Sequence, residues 1–186
     1  LPIGVDINNL IDDICSFSWE ASDILLHYSK ILKNPNYAKE IIQTKNEGEP
    51  VTLADLKVND LIINRIKRNY KEVDWNILSE ENIKTGFDDL HPNSEWMWVL
   101  DPLDGTKDFI QGTGNYAMHL ALNYEKTPYI GLVLIPERGE LWITDSNDVW
   151  CEKKDGSIKK ASLPSNKPLR DMTIVTSKNH RNATLN

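Results

Sequence analysis

Only two of the 186 residues are cysteines, Cys15 and Cys151. The first falls inside an apolar helical pattern and neither has a histidine beside it in a motif. That pair suggests a reducing compartment rather than a disulfide scaffold, and gives a thiol nucleophile little support. Basic charge is also short, with 21 Lys and Arg against 28 Asp and Glu and a net charge of −7. A general nucleic-acid binder carries a basic face, so nucleic-acid polymers are disfavoured as partners. A small phosphorylated ligand remains compatible if metal ions offset the acid locally. Long hydrophobic runs are missing: Asp12-Asp13 interrupt the N-terminal segment and no stretch approaches a membrane span, so no membrane partner is expected. A cytoplasmic location is expected from the lack of targeting signals, although a start at Leu1 rather than Met implies residues upstream. The sequon Asn182-Ala183-Thr184 reads as a chance match. There is no internal repeat and no low-complexity tract. With 40% hydrophobic and 26% charged residues, the length suits one domain with a real core, or one domain plus the start of another.

Apolar residues at three- and four-residue steps from Ile7 to Leu32 predict a long amphipathic helix ending before Asn34-Pro35. A short strand is expected at 38–44, a polar loop at 45–50, and a second helix from about Thr52 to Tyr70. The pattern then changes to short strands at Asn76–Ser79, Trp96–Leu100, Tyr116–Asn123, Tyr129–Ile135, Glu140–Thr144 and Val149–Glu152. Helices followed by closely linked strands predict an α+β fold, with two long helices packed on an antiparallel β-sheet. Along 117–122, Met118, Leu120 and Leu122 would face one side and Ala117, His119 and Ala121 the other, both read as small or apolar, as for a strand covered on both sides. Residues 1–163 would form this domain. Pro164–Pro168 reads as a linker and Met172–Thr176 as the first strand of a second α/β domain that is missing or only begun.

The stretch from Trp96 to Phe109 organises the chemistry. Five mostly apolar residues run into Asp101-Pro102-Leu103-Asp104-Gly105, a turn expected to stop the sheet because Pro102 has no N–H and Gly105 admits unusual backbone angles. It presents Asp101 and Asp104 at a strand mouth, and a helical turn over Thr106–Ile110 would aim its amides at the same spot. Alone, this loop fits a tight acidic surface turn and a metal-assisted phosphate site equally well. Thr52-Leu53-Ala54-Asp55 reads as a helix cap, or as a way to bring Asp55 to the acidic loop. Glu80-Glu81 reads as a solvated turn, or as two more site carboxylates. The combination favours the site, because Asp55, Glu80, Asp101 and Asp104 all fall at element edges. Three carboxylates at roughly 5 Å would repel by about 3 kcal/mol per pair at an effective dielectric near 20. A cation relieves that repulsion, and an all-oxygen set suits Mg²⁺.

Several lookalikes carry less weight. Gly112-Thr113-Gly114-Asn115-Tyr116-Ala117 fits a loose dinucleotide fingerprint, but a strand pattern follows where a helix is required. His27, His91, His119 and His180 show no metal-ligand spacing. Trp96 and Trp98 alternate in a strand and fit a core better than a stacking platform.

Three motifs in order, Val51-Thr52-Leu53-Ala54-Asp55, Leu78-Ser79-Glu80-Glu81 and Trp98 to Thr106, make the chain resemble the lithium-sensitive, Mg²⁺-dependent phosphatases related to inositol monophosphatase. Gly131 to Pro136 is similar to the family's sheet. The resemblance implies a sugar-phosphatase-like N-terminal domain in which Glu80, Asp101, Asp104 and the Leu103 carbonyl hold Mg²⁺. Asp55 with Thr106 would activate a metal-bound water for in-line attack. The amides of Gly105 and Thr106 would hold the substrate phosphate, with Glu81 and Lys107 in support. Lys107-Asp108-Phe109 after the aspartate loop is similar to the 3'(2'),5'-bisphosphate nucleotidase branch, which implies hydrolysis of 3'-phosphoadenosine 5'-phosphate to AMP and phosphate. The alternatives are an inositol (poly)phosphate phosphatase and, from another class, a non-catalytic metal- or phosphate-binding module. A homodimer is among the assemblies left open. The family's further metal-binding aspartate, in a Trp-Asp-x-x-Ala-Gly motif, has no match within these residues.

Overall fold

The N-terminal apolar steps form helix α1 (Ile7–Leu32), burying Leu10, Ile14, Phe17, Ala21 and Leu25 along one stripe. Asp6 caps it, its Oδ1 accepting the amides of Asn8 and Asn9, each at 3.0 Å. The computed structural model describes residues 1–33, 41–44, 50–85, 94–161 and 168–171. Two short strands, β1 (Ile42–Thr44) and β2 (Pro50–Thr52), pair antiparallel and lead into helix α2 (Leu53–Asn69). The rest of the expected first strand at 38–40, the loop at 45–49, the linker at 164–167 and the strand at 172–176 lie outside the described residues, as does most of the proposed domain boundary.

Beyond α2 the chain runs through β3 (Asn76–Ser79), α3 (Glu80–Thr85), β4 (Trp96–Asp104) and α4 (Thr106–Gln111). It continues through β5 (Ala117–Tyr124), β6 (Thr127–Ile135), β7 (Glu140–Thr144), β8 (Val149–Lys153) and β9 (Ile158–Lys160). β3 to β9 form one seven-stranded sheet in chain order. It is mixed, which corrects the antiparallel expectation: β3 pairs parallel with β4, and every later pair is antiparallel. Residues 80–95 separate β3 from β4, long enough for the crossover that parallel strands need. The helix α3 was expected as a turn, and β2 and the lysine-bearing edge strand β9 were not expected.

One face of the sheet carries Trp98, Leu100, Met118, Leu120, Leu122, Leu132 and Leu134, all buried with the inner stripes of α1 and α2. The α2 contribution is Ala54, Val58, Ile62 and Ile66. The opposite face is only half covered among the described residues. Val99, His119, Ala121 and Val133 are intermediate in exposure, so β5 is not enclosed on both sides as its composition suggested. Both cysteines are free and buried, and burial pushes the Cys15 thiol up to about 12, which removes it as a nucleophile near neutral pH. No helix among the described residues is long and apolar enough to cross a membrane.

Candidate active site

β4 does not stop at Leu100. Asp101 is in register with His119 and Asp104 with Ala117, so three steps on β4 match two on β5. The extra residue makes a β-bulge, which accommodates Pro102 without a ladder N–H and carries the strand on to Asp104. This corrects the expected stop, and it re-aims the two aspartates together. Asp101 Oδ1 accepts the Leu103 amide at 3.1 Å, fixing the carboxylate within the bulge.

Gly105 then reverses the chain into α4 with φ +86°, and a Cβ there would lie 2.8 Å from the Asn115 carbonyl oxygen. Gly105→Ala is therefore expected to cost about 1–2 kcal/mol for the left-handed backbone alone, with the backbone clash adding to it. Urea denaturation should show the loss, together with a displaced loop.

Asp55 arrives from the other side, in the first turn of α2. Its Oδ2 accepts the Thr52 amide at 2.8 Å and the Thr52 hydroxyl at 2.6 Å, while Thr52 Oγ1 accepts the Ala54 amide at 3.1 Å. The expected cap is present, and it occupies only one carboxylate oxygen. Oδ1 faces the Thr106 hydroxyl at 3.4 Å, and the same hydroxyl lies 3.2 Å from the Leu103 carbonyl oxygen. The single Thr106 proton thus has two competing acceptors, one on each side of the loop.

Glu80 opens α3 directly after β3, whose parallel register places Ser79 beside Leu100 and hence Glu80 beside Asp101. Asp101 is pushed up to about 7, first by burial and then by the Glu80 and Asp104 charges, with the Leu103 amide opposing. Asp55 is pushed up to about 6, chiefly by burial, against the lowering Thr52 hydrogen bonds, with Glu81 adding repulsion. Glu81 is 5% exposed, so it is an inward-facing acid rather than part of a solvated turn. Lys107 is exposed on α4 and stands apart from the carboxylates' hydrogen bonds.

Two groups result: Glu80, Asp101 and Asp104 on one side, and Asp55, Thr106 and the Leu103 carbonyl on the other. Among the described residues, no three carboxylate, imidazole or thiolate groups close around one point as they stand. Mg²⁺ does not need such a cage. It is commonly held by one or two carboxylates with water and substrate phosphate completing the shell. A carbonyl beside mutually repelling, partly buried carboxylates fits a hard cation.

His119 has no metal-ligand spacing in the sequence, yet register puts it opposite Asp101. It lines, with Glu80, Asp101, Leu78, Ile83 and Val99, a cavity of about 570 Å³ on the outer sheet face. Only the pairing of β4 with β5, absent from linear spacing, could have revealed it.

Raised carboxylate pKa values carry a sign for stability. The folded state binds these protons more tightly than the unfolded chain, so their contribution is full below about pH 4 and is lost as pH rises through about 6 and 7. Metal-free protein should lose thermal stability across that window. A divalent cation that takes these carboxylates as ligands should restore it, with a Tm gain larger at pH 8 than at pH 5.5, because ligands must be deprotonated to bind.

The inositol monophosphatase family model matches residues 8–186. The chain belongs to that family. Among curated relatives, the 3'(2'),5'-bisphosphate nucleotidase CysQ of Buchnera aphidicola is 28% identical over 186 residues, covering 96% of this chain and 64% of its own. The corresponding CysQ of Escherichia coli K12 is 25% identical over 180 residues, covering 95% of this chain and 66% of its own. The chain thus spans slightly less than two thirds of the length of these family members. The crystal structure of the extragenic suppressor protein suhB from Bartonella henselae superposes with a TM-score of 0.68 at 19% identity. That match covers 85% of this chain and 55% of the other, and supports the family fold.

Proposed function

We propose that this chain carries the metal- and phosphate-binding half of a Mg²⁺-dependent phosphomonoesterase acting on 3'-phosphoadenosine 5'-phosphate. The observation that carries the reading is the Asp55–Thr106–Leu103 arrangement beside Glu80, Asp101 and Asp104. An acid, a hydroxyl and a carbonyl share one proton at the edge of a repelling carboxylate group. Glu80, Asp101, Asp104 and the Leu103 carbonyl would hold Mg²⁺, which when bound neutralises phosphate charge and eases deprotonation of water.

The protein's own residues supply the rest. The Thr106 hydroxyl, within reach of Asp55 Oδ1, would donate its proton there and offer its lone pairs to an attacking water. Asp55, raised toward neutrality by burial, then suits the general base that takes the proton from this pair. Its second oxygen stays locked in the helix cap, so the base cannot rotate away. The amides of Gly105 and Thr106, which have no acceptor inside their own helix, would face the phosphate.

The nucleotide substrate rests on Lys107-Asp108-Phe109 and on the relatives named as bisphosphate nucleotidases. A substrate panel on the longest natural form of the protein tests it. Release of the 3'-phosphate from 3'-phosphoadenosine 5'-phosphate should exceed turnover of inositol 1-phosphate and inositol 1,4-bisphosphate. Preference for either inositol compound would overturn the nucleotide assignment.

A further inference from the structure

Asn59 lies one helical turn beyond Asp55 in α2 and is 6% exposed, an uncommon place for an amide that does no work in the core. Both ends of its side chain are used. Oδ1 accepts a short hydrogen bond from the hydroxyl of Ser79, which is fully buried at the end of β3. Nδ2 donates to Asn82 Oδ1 in α3 at 3.2 Å. Those two partners flank Glu80 and Glu81 in the chain, so one amide clamps the turn bearing both acids from either side.

We infer that Asn59 is a positioning residue, fixing the Glu80-Glu81 turn to the helix that carries Asp55 and so setting the spacing between the two halves of the site. This rests on the proposed Mg²⁺ role of Glu80. The geometry favours it over simple core filling. An apolar residue could fill the same space but could not hold a serine and an asparagine on opposite sides of an acidic turn. The carboxylates repel one another, so the turn has a standing force to move outward, and a hydrogen-bonded tether resists that force where packing would not. Groups that orient metal ligands typically change affinity about 10- to 100-fold when removed.

The test measures Mg²⁺ binding by calorimetry, together with kcat and KM, on the longest natural protein and its Asn59→Ala, Asn59→Leu and Asn82→Ala variants. Asn59→Leu fills the space, so it guards against simple collapse of the cavity. The expected result is a roughly 10-fold or greater loss of Mg²⁺ affinity in both Asn59 variants and a smaller loss in Asn82→Ala, with kcat at saturating Mg²⁺ lowered in the same order because the two halves of the site lose their spacing. Unchanged Mg²⁺ affinity in variants with a lowered Tm would assign Asn59 a structural role and overturn the inference while leaving the proposed function standing. Absence of Mg²⁺ binding by the parent protein would overturn both.

Discussion

Asp101→Asn is expected to reduce turnover by about 10³-fold or more while making the metal-free protein more stable at pH 8. The two effects share one cause. Asp101 sits in a partly buried position against Glu80 and Asp104, where its ionised form is disfavoured and its pKa rises to about 7. Asparagine keeps an oxygen to accept the Leu103 amide, now made by Asp101 Oδ1 at 3.1 Å, and removes the charge. Relief of the repulsion should be worth about 1 kcal/mol after allowance for solvent screening, or roughly 2–4 °C in Tm. The same change removes an anionic ligand from the proposed metal site, and a loss of about 4 kcal/mol of transition-state stabilisation corresponds to 10³ in rate. A surface turn with no function would show neither effect. Thermal melts without metal, paired with initial rates in Mg²⁺, separate the two readings.

Asp55→Asn should lower kcat by about 10²- to 10⁴-fold, the usual contribution of a general base, the role proposed for it, with no loss of melting temperature. The cap explains the contrast. Asparagine would keep its oxygen toward the Thr52 amide and hydroxyl, which donate at 2.8 and 2.6 Å, so the start of α2 is preserved. Its NH₂ would then face Thr106, where Asp55 Oδ1 lies 3.4 Å from the hydroxyl. A donor in place of an acceptor forces the Thr106 proton back to the Leu103 carbonyl. Mg²⁺ affinity should change little, since Asp55 is not among the proposed ligands. A drop in kcat with unchanged calorimetric Mg²⁺ binding is the expected signature, and an equal loss of both would reassign Asp55 to the metal.

Much of this arrangement is legible in the sequence because it depends on local periodicity and local caps. Helix α1 begins and ends where its apolar stripe does, and β3 and β7 coincide with their predicted spans. Thr52 and Asp55 form the expected cap, since its hydrogen bonds close within four residues. What escaped depends on pairing. The parallel direction of β3 against β4, the bulge that lets Pro102 stay in a strand, and the placement of His119 opposite Asp101 are all set by neighbouring strands. Asn59 and Ser79 are similar cases, because their hydrogen bond spans twenty residues and follows no short motif. The acidic residues themselves stood out, but their burial did not: Glu81 fits a solvated turn until α3 folds it inward.

The most direct test of the central claim is Mg²⁺-dependent phosphate release from 3'-phosphoadenosine 5'-phosphate by the longest natural protein, beside its Asp104→Asn variant. Release is expected to require Mg²⁺ and to be abolished in the variant. Mg²⁺-independent release, or equal release by the variant, would contradict that claim.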